Sequence, residues 1–104
     1  MFLVLCNAPP NEADRIAEQL VGERLAACVN LSPVRSVYRW QGEIQHDVEV
    51  TLWIKVSATG VDALRERLVA LHPYELPEVL AFGIDEQHSL AAYVAWVEQE
   101  CAPP

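Results

Sequence analysis

An α+β sandwich, with helices packed on one face of an antiparallel sheet, is the fold this sequence predicts. Three observations carry that expectation. Apolar residues recur at helical spacing in three separate stretches; they alternate with period two through a long central stretch; and prolines or glycines stand between these stretches. At 104 residues with 52% hydrophobic content, the chain suffices for one domain, 1–104, with a modest core.

Phe2 to Cys6 is a short apolar run with strand character, closed by Ala8-Pro9-Pro10. Next, Ala13, Ile16, Ala17, Leu20, Val21 and Leu25 mark a helix ending near Arg24. Asn11 is its expected N-cap, with Glu12 and Asp14 favourable in the first turn. From Ala27 to Val56 the period changes to two around Gln41-Gly42-Glu43, which predicts a long β-hairpin. With those residues as a three-residue loop, Val34, Ser36, Tyr38 and Trp40 face Val50, Val48, His46 and Ile44, Arg35 falls opposite Glu49, and Arg39 lies diagonal to Asp47. Thr59 then caps a second helix through Val61, Leu64, Leu68 and Leu71, stopped by Pro73. Glu78 to Ile84 reads as a fourth strand, and Leu90, Tyr93, Val94, Val97 and Cys101 as a last helix capped by Ser89. The order β-α-β-β-α-β with an added helix is ferredoxin-like.

The second hairpin strand spans about 40 Å at ~3.3 Å per residue, whereas a domain of this size has a radius of gyration of about 13 Å. The hairpin therefore projects beyond its own core. Trp40, Tyr38 and Ile44 on one of its faces would be exposed unless another subunit covers them, so a homo-oligomer is expected.

A net charge of −8 repels phosphate backbones and anionic lipid, which argues against nucleic acid and membrane partners and permits cations. The opening apolar run lacks a basic flank and is too short for a signal or a span. Three widely spaced cysteines, Cys6, Cys28 and Cys101, suit reduced thiols in a cytoplasm.

The chain has no G-x-S-x-G, P-loop, dinucleotide or metalloprotease motif, and its four glycines form no phosphate-binding loop, so no enzyme activity is expected. Chemistry is instead concentrated in Leu71-His72-Pro73-Tyr74-Glu75-Leu76-Pro77-Glu78, where two prolines stiffen a segment carrying imidazole, phenol and carboxylates. Metal donors could come from Cys6, Cys28, Cys101, His46, His72 and His88, none at a C-x-x-C or H-x-x-x-H spacing. Trp53, Lys55 and Glu49 share one side of the long strand by parity, and the expected register adds Arg35 to them.

Leu25-Ala26-Ala27-Cys28-Val29-Asn30, Ser36 to Ile44, Asp47 with Glu49, Lys55, His72 to Glu78 and Tyr93-x-x-Trp96 together resemble the CutA1 family of divalent-cation tolerance proteins over nearly the whole chain. The resemblance implies a homotrimer joined through its long hairpins and a response to copper(II) or other divalent cations. It also implies copper donors at Cys6 and His72, with Leu71 where some members carry a further histidine. The family is similar in fold and assembly to PII-like signalling trimers. That likeness implies an alternative: a small ligand or partner protein held in an intersubunit cleft by Trp40, Glu49, Lys55, Tyr74 and Glu75. An uncharacterised enzyme using Tyr74, Glu75 and Lys55 is a third reading, with no motif behind it.

Overall fold

The computed structural model describes residues 1–101. Its elements are β1 (Phe2–Ala8), α1 (Pro10–Gly22), β2 (Cys28–Trp40), β3 (Glu43–Val56), α2 (Val61–Leu71), β4 (Leu80–Gly83), a 3₁₀ turn (Glu86–His88) and α3 (Ala91–Glu100). The four strands form an antiparallel sheet in the order β2-β3-β1-β4. This is the expected α+β sandwich.

Several boundaries differ from expectation for local reasons. Helix α1 starts before Asn11, because Pro9 takes the N-cap place and Pro10 supplies a preset helical φ at the first position. Helix α2 is capped by Gly60 rather than Thr59; Ser57 turns its hydroxyl onto the Gly60 N–H at 3.1 Å. Ser89 closes the 3₁₀ turn, where its hydroxyl donates to the Asp85 carbonyl at 2.6 Å, and Leu90 caps α3 instead. Strand β4 is confined to Leu80–Gly83, the residues that reach β1.

The core lies between the sheet and α1 and α2. Val4, Cys6 and Ala8 of β1 and Leu52, Ile54 and Val56 of β3 meet Ala13, Ile16, Ala17 and Leu20 of α1 and Leu64 and Leu68 of α2. Across the helices, the Arg67 guanidinium grips Glu23 through two contacts at 2.9 Å. Helix α3 makes a second small cluster at one end, packing Val94 and Val97 on Met1 and Ala27.

Among the described residues no helix covers the centre of the opposite sheet face. Leu5 lies between Trp53 and Leu80, and Leu3 between Lys55 and Phe82, so an apolar strip runs across three strands. Trp53, Leu80 and Phe82 are exposed.

The hairpin register differs by one residue from the sequence reading. Gln41 and Gly42 both have positive φ, 51° and 82°, which makes a two-residue turn of type I′ whose twist matches the strands it joins. Trp40 therefore pairs with Glu43, Arg39 with Ile44, Arg35 with Val48 and Val34 with Glu49. Because directly paired residues share a face, Arg35 lies on the other face from Glu49, Trp53 and Lys55. Ile44 likewise leaves the face of Tyr38 and Trp40. Arg39 has no diagonal place beside Asp47; the Tyr38 hydroxyl donates to that carboxylate instead.

The overhang survives this correction. Strand β1 covers β3 only from Val50 to Val56, so Glu43 to Glu49 form an arm with β2 alone, and the molecule measures 44 Å along its longest axis. Both arm faces carry exposed apolar groups: Val37 (66%), Ile44 (62%) and Val48 (66%) on one, Tyr38 and Trp40 on the other.

Candidate functional site

The chemically rich segment after α2 is placed by proline. His72 precedes Pro73 and cannot continue the helix; its ψ of 136° turns the chain out of α2 and its ring into the end of the sheet. The ring is buried and packs against Tyr74 with centroids 4.7 Å apart. Nδ1 accepts the Tyr74 backbone N–H at 3.1 Å, which places the proton on Nε2, and that N–H donates to the Asn7 carbonyl at 2.8 Å. Both nitrogens of a neutral imidazole are thereby engaged.

Cys6 points into the core, paired across from Leu52, and its thiol donates to the same Asn7 carbonyl at 3.7 Å. Burial pushes the thiol up to about 12, and the negative charges of Glu78 and Glu49 add to that rise. The structure thus brings Cys6 and His72 together at one carbonyl. As a resident site for copper(II) or another divalent ion the pair does not fit: the thiol is held protonated, and no imidazole lone pair is free. Among the described residues no three His, Cys, Asp or Glu side chains converge as a metal cluster.

Asn7 organises this region, and sequence reasoning missed it. Besides its carbonyl, its amide oxygen accepts the Thr51 hydroxyl at 2.6 Å across the β1–β3 ladder. Its place next to Cys6 at the end of the first strand was the available signal.

Beyond His72, Tyr74 swings beneath the arm, and its hydroxyl donates to Glu49 Oε2 at 2.9 Å. Glu49 is only 6% exposed. Burial and this carboxylate hold the Tyr74 phenol far above its ordinary range, so it remains a donor. The Asp47 carboxylate similarly raises Tyr38, first by accepting its hydroxyl hydrogen. A groove of about 820 Å³ lies between the arm and the proline-bounded segment, with Tyr38, Trp40, Glu49, Tyr74, Glu75 and Glu78 among its lining. Of the five residues expected in a cleft, Trp40, Glu49, Tyr74 and Glu75 meet here. Lys55 does not; on the same strand, about 20 Å further on, it donates to the Asn30 side-chain carbonyl and lies 4.0 Å from Cys28 Sγ.

Comparison with known proteins decides the family. The profile of the CutA1 divalent ion tolerance protein matches residues 2–100. The chain belongs to the CutA1 family. It is 44% identical over 99 residues to the divalent-cation tolerance protein CutA of Thermus thermophilus, covering 93% of this chain and 94% of that one. Its fold superimposes on a PII-like CutA from Nostoc in apo form with a TM-score of 0.96, at 46% identity and 98% coverage of both chains. The periplasmic divalent cation tolerance protein CutA of Archaeoglobus fulgidus is more distant at 30% identity, with a TM-score of 0.91 over 98% of this chain and all of that one. Among the described residues of this CutA1 chain no helix is long and apolar enough to cross a membrane.

Proposed function

We propose that this CutA1 protein acts in divalent-cation tolerance as a non-enzymatic homotrimer of PII-like form that binds a small ligand in the groove beneath each hairpin arm, rather than as a tight metal chelator. The carrying observation is the groove floor, where buried Glu49 is held by the Tyr74 hydroxyl at 2.9 Å in a groove whose lining also includes Tyr38 and, nearer the arm tip, Trp40. A few fixed polar groups among aromatic walls is the usual make-up of a small-molecule site. The engaged state of Cys6 and His72 supports a structural role for both.

Self-assembly is supported by the apolar strip of Leu3, Leu5, Trp53, Leu80 and Phe82 and by the two-sided apolar arm, more exposed apolar surface than a soluble monomer tolerates. A partner arm laid against a neighbouring sheet would cover both and close the open side of the groove. The three free thiols support a reducing compartment, the cytoplasm.

Light scattering tests the assembly and should give about three times the 11.6 kDa chain mass. Ligand binding is tested by screening small metabolites and Cu²⁺ for a rise in melting temperature. A greater rise with Cu²⁺ than with every organic compound would reverse the choice between chelator and ligand-binding module.

A further inference from the structure

The chemical class of the ligand can be read from the hydrogen-bond account of Glu49. One carboxylate oxygen, Oε2, takes the Tyr74 hydroxyl; the other, Oε1, receives no hydrogen bond among the described residues. Among the described residues no inaccessible side-chain nitrogen or oxygen lacks a partner, so Oε1 opens onto the groove although Glu49 is more than nine-tenths buried. A carboxylate oxygen that opens into a cavity from an otherwise buried side chain favours a positively charged N–H donor. Two further features agree. Glu75 and Glu78 border the same groove, and the half-exposed ring of Tyr38 offers a face that attracts cations. An inorganic divalent ion is poorly served, since it wants several converging oxygen ligands and no such group forms among the described residues. Arg35 and Arg39 also border the groove, from the other face of β2, and pull in the opposite direction.

We propose that the groove selects a small organic ammonium with a flat apolar body, its N–H seated on Glu49 Oε1 and its body against the Tyr38 ring, which leans back along the arm to Asp47. This rests on the groove-binding reading above and adds the sign of the ligand's charge. Three probes of similar size separate the two claims: 2-phenylethylammonium, 2-phenylethanol and 3-phenylpropionate, titrated into the native protein with Trp fluorescence and calorimetry. The variants are Glu49→Gln, whose amide oxygen still accepts the Tyr74 hydroxyl and so keeps the fold, and Tyr38→Leu. Melting curves and light scattering confirm that both variants remain folded and assembled.

The expected result is that the ammonium binds the native protein at least about tenfold more tightly than the alcohol, and that Glu49→Gln removes at least tenfold of its affinity. Tyr38→Leu should weaken all three probes. If the alcohol or the carboxylate binds as tightly as the ammonium and Tyr38→Leu still weakens it, the cationic class is wrong while the groove reading stands. If no probe binds, or binding is indifferent to both substitutions, the groove reading falls as well.

Discussion

Copper binding by Cys6 and His72 provides the sharpest quantitative test, because each donor must be released from an existing arrangement first. The Cys6 thiol stands at about 12 against an ordinary 9.0, so forming the thiolate costs roughly 4 kcal/mol more than for an exposed cysteine. His72 must free either Nδ1 from the Tyr74 N–H or Nε2 from the Asn7 carbonyl; leaving such a buried partner unsatisfied costs about 1–3 kcal/mol. Together these make roughly 5–7 kcal/mol, a loss of about four to five orders of magnitude relative to an open thiol–imidazole pair. Equilibrium dialysis against micromolar Cu²⁺ at pH 7.5, with the native protein and the Cys6→Ala and His72→Ala variants, should therefore show the same bound copper in all three. Sub-micromolar binding that both substitutions abolish would refute the reasoning, and with it the structural role given to the pair.

The same thiol sets an alkaline limit on stability. With its folded pKa above the unfolded one, Cys6 contributes stability that is complete below about pH 9 and is lost as pH rises toward about 12, at up to about 1.4 kcal/mol per pH unit; Cys6→Ala should flatten that fall in denaturant titrations. Tyr74 is raised in the same direction, so Tyr74→Phe should flatten it further at higher pH. Gly42 sits at φ +82° with nothing within 4 Å of an added Cβ, so Gly42→Ala should cost about 1–2 kcal/mol through the backbone alone, read as a lowered melting temperature. Placing glutamate at Leu80 and Phe82, in the open strip, should reduce the light-scattering mass toward the 11.6 kDa chain while circular dichroism stays that of the folded protein.

Most of the fold was legible because it rests on periodicity. Leu52, Ile54 and Val56 alternate onto the core face, and Ile16, Leu20, Leu64 and Leu68 recur at helical spacing, as the packing bears out. The helix starts were less legible, since Pro9, Gly60 and Leu90 occupy cap positions that side-chain preference assigns to Asn11, Thr59 and Ser89. Four of the five expected cleft residues converge, because Pro73 and Pro77 force their segment back beneath the arm. The engagement of His72 could not be seen in sequence: it depends on the Asn7 carbonyl and the Tyr74 amide, and backbone groups carry no residue signature.

The missed register has an instructive cause, and it bears on the groove. Within the arm, cross-strand matching favours the expected register, which sets Val34 against Val50, Trp40 against Ile44 and Arg35 against Glu49; the observed register pairs apolar with apolar only at the core end, Val29 with Ile54 and Leu31 with Leu52, and there the core and the turn geometry prevail. Gln is an uncommon residue at a left-handed position, where Asn or Gly is usual, and the Gln41-Gly42 pair therefore does not announce a type I′ turn as Asn-Gly would. Only in the observed register do Tyr38 and Trp40 share the face of Glu49 and form one wall. Inserting a glycine after Gly42 asks which constraint governs. A slip of β2 would take Val29 and Leu31 from opposite Ile54 and Leu52 and put Cys28 and Asn30 in their places, at a cost of about 2–3 kcal/mol in partial apolar burial. A three-residue hairpin loop with a bulge is a common arrangement and avoids that loss. The inserted residue should therefore be absorbed at the tip, leaving Trp40 fluorescence, the alkaline Tyr38 titration and ammonium-probe binding near native values. Loss of probe binding together with a Tyr38 that titrates at an ordinary pH would show instead that the turn, not the core end of the hairpin, holds the aromatic wall in place.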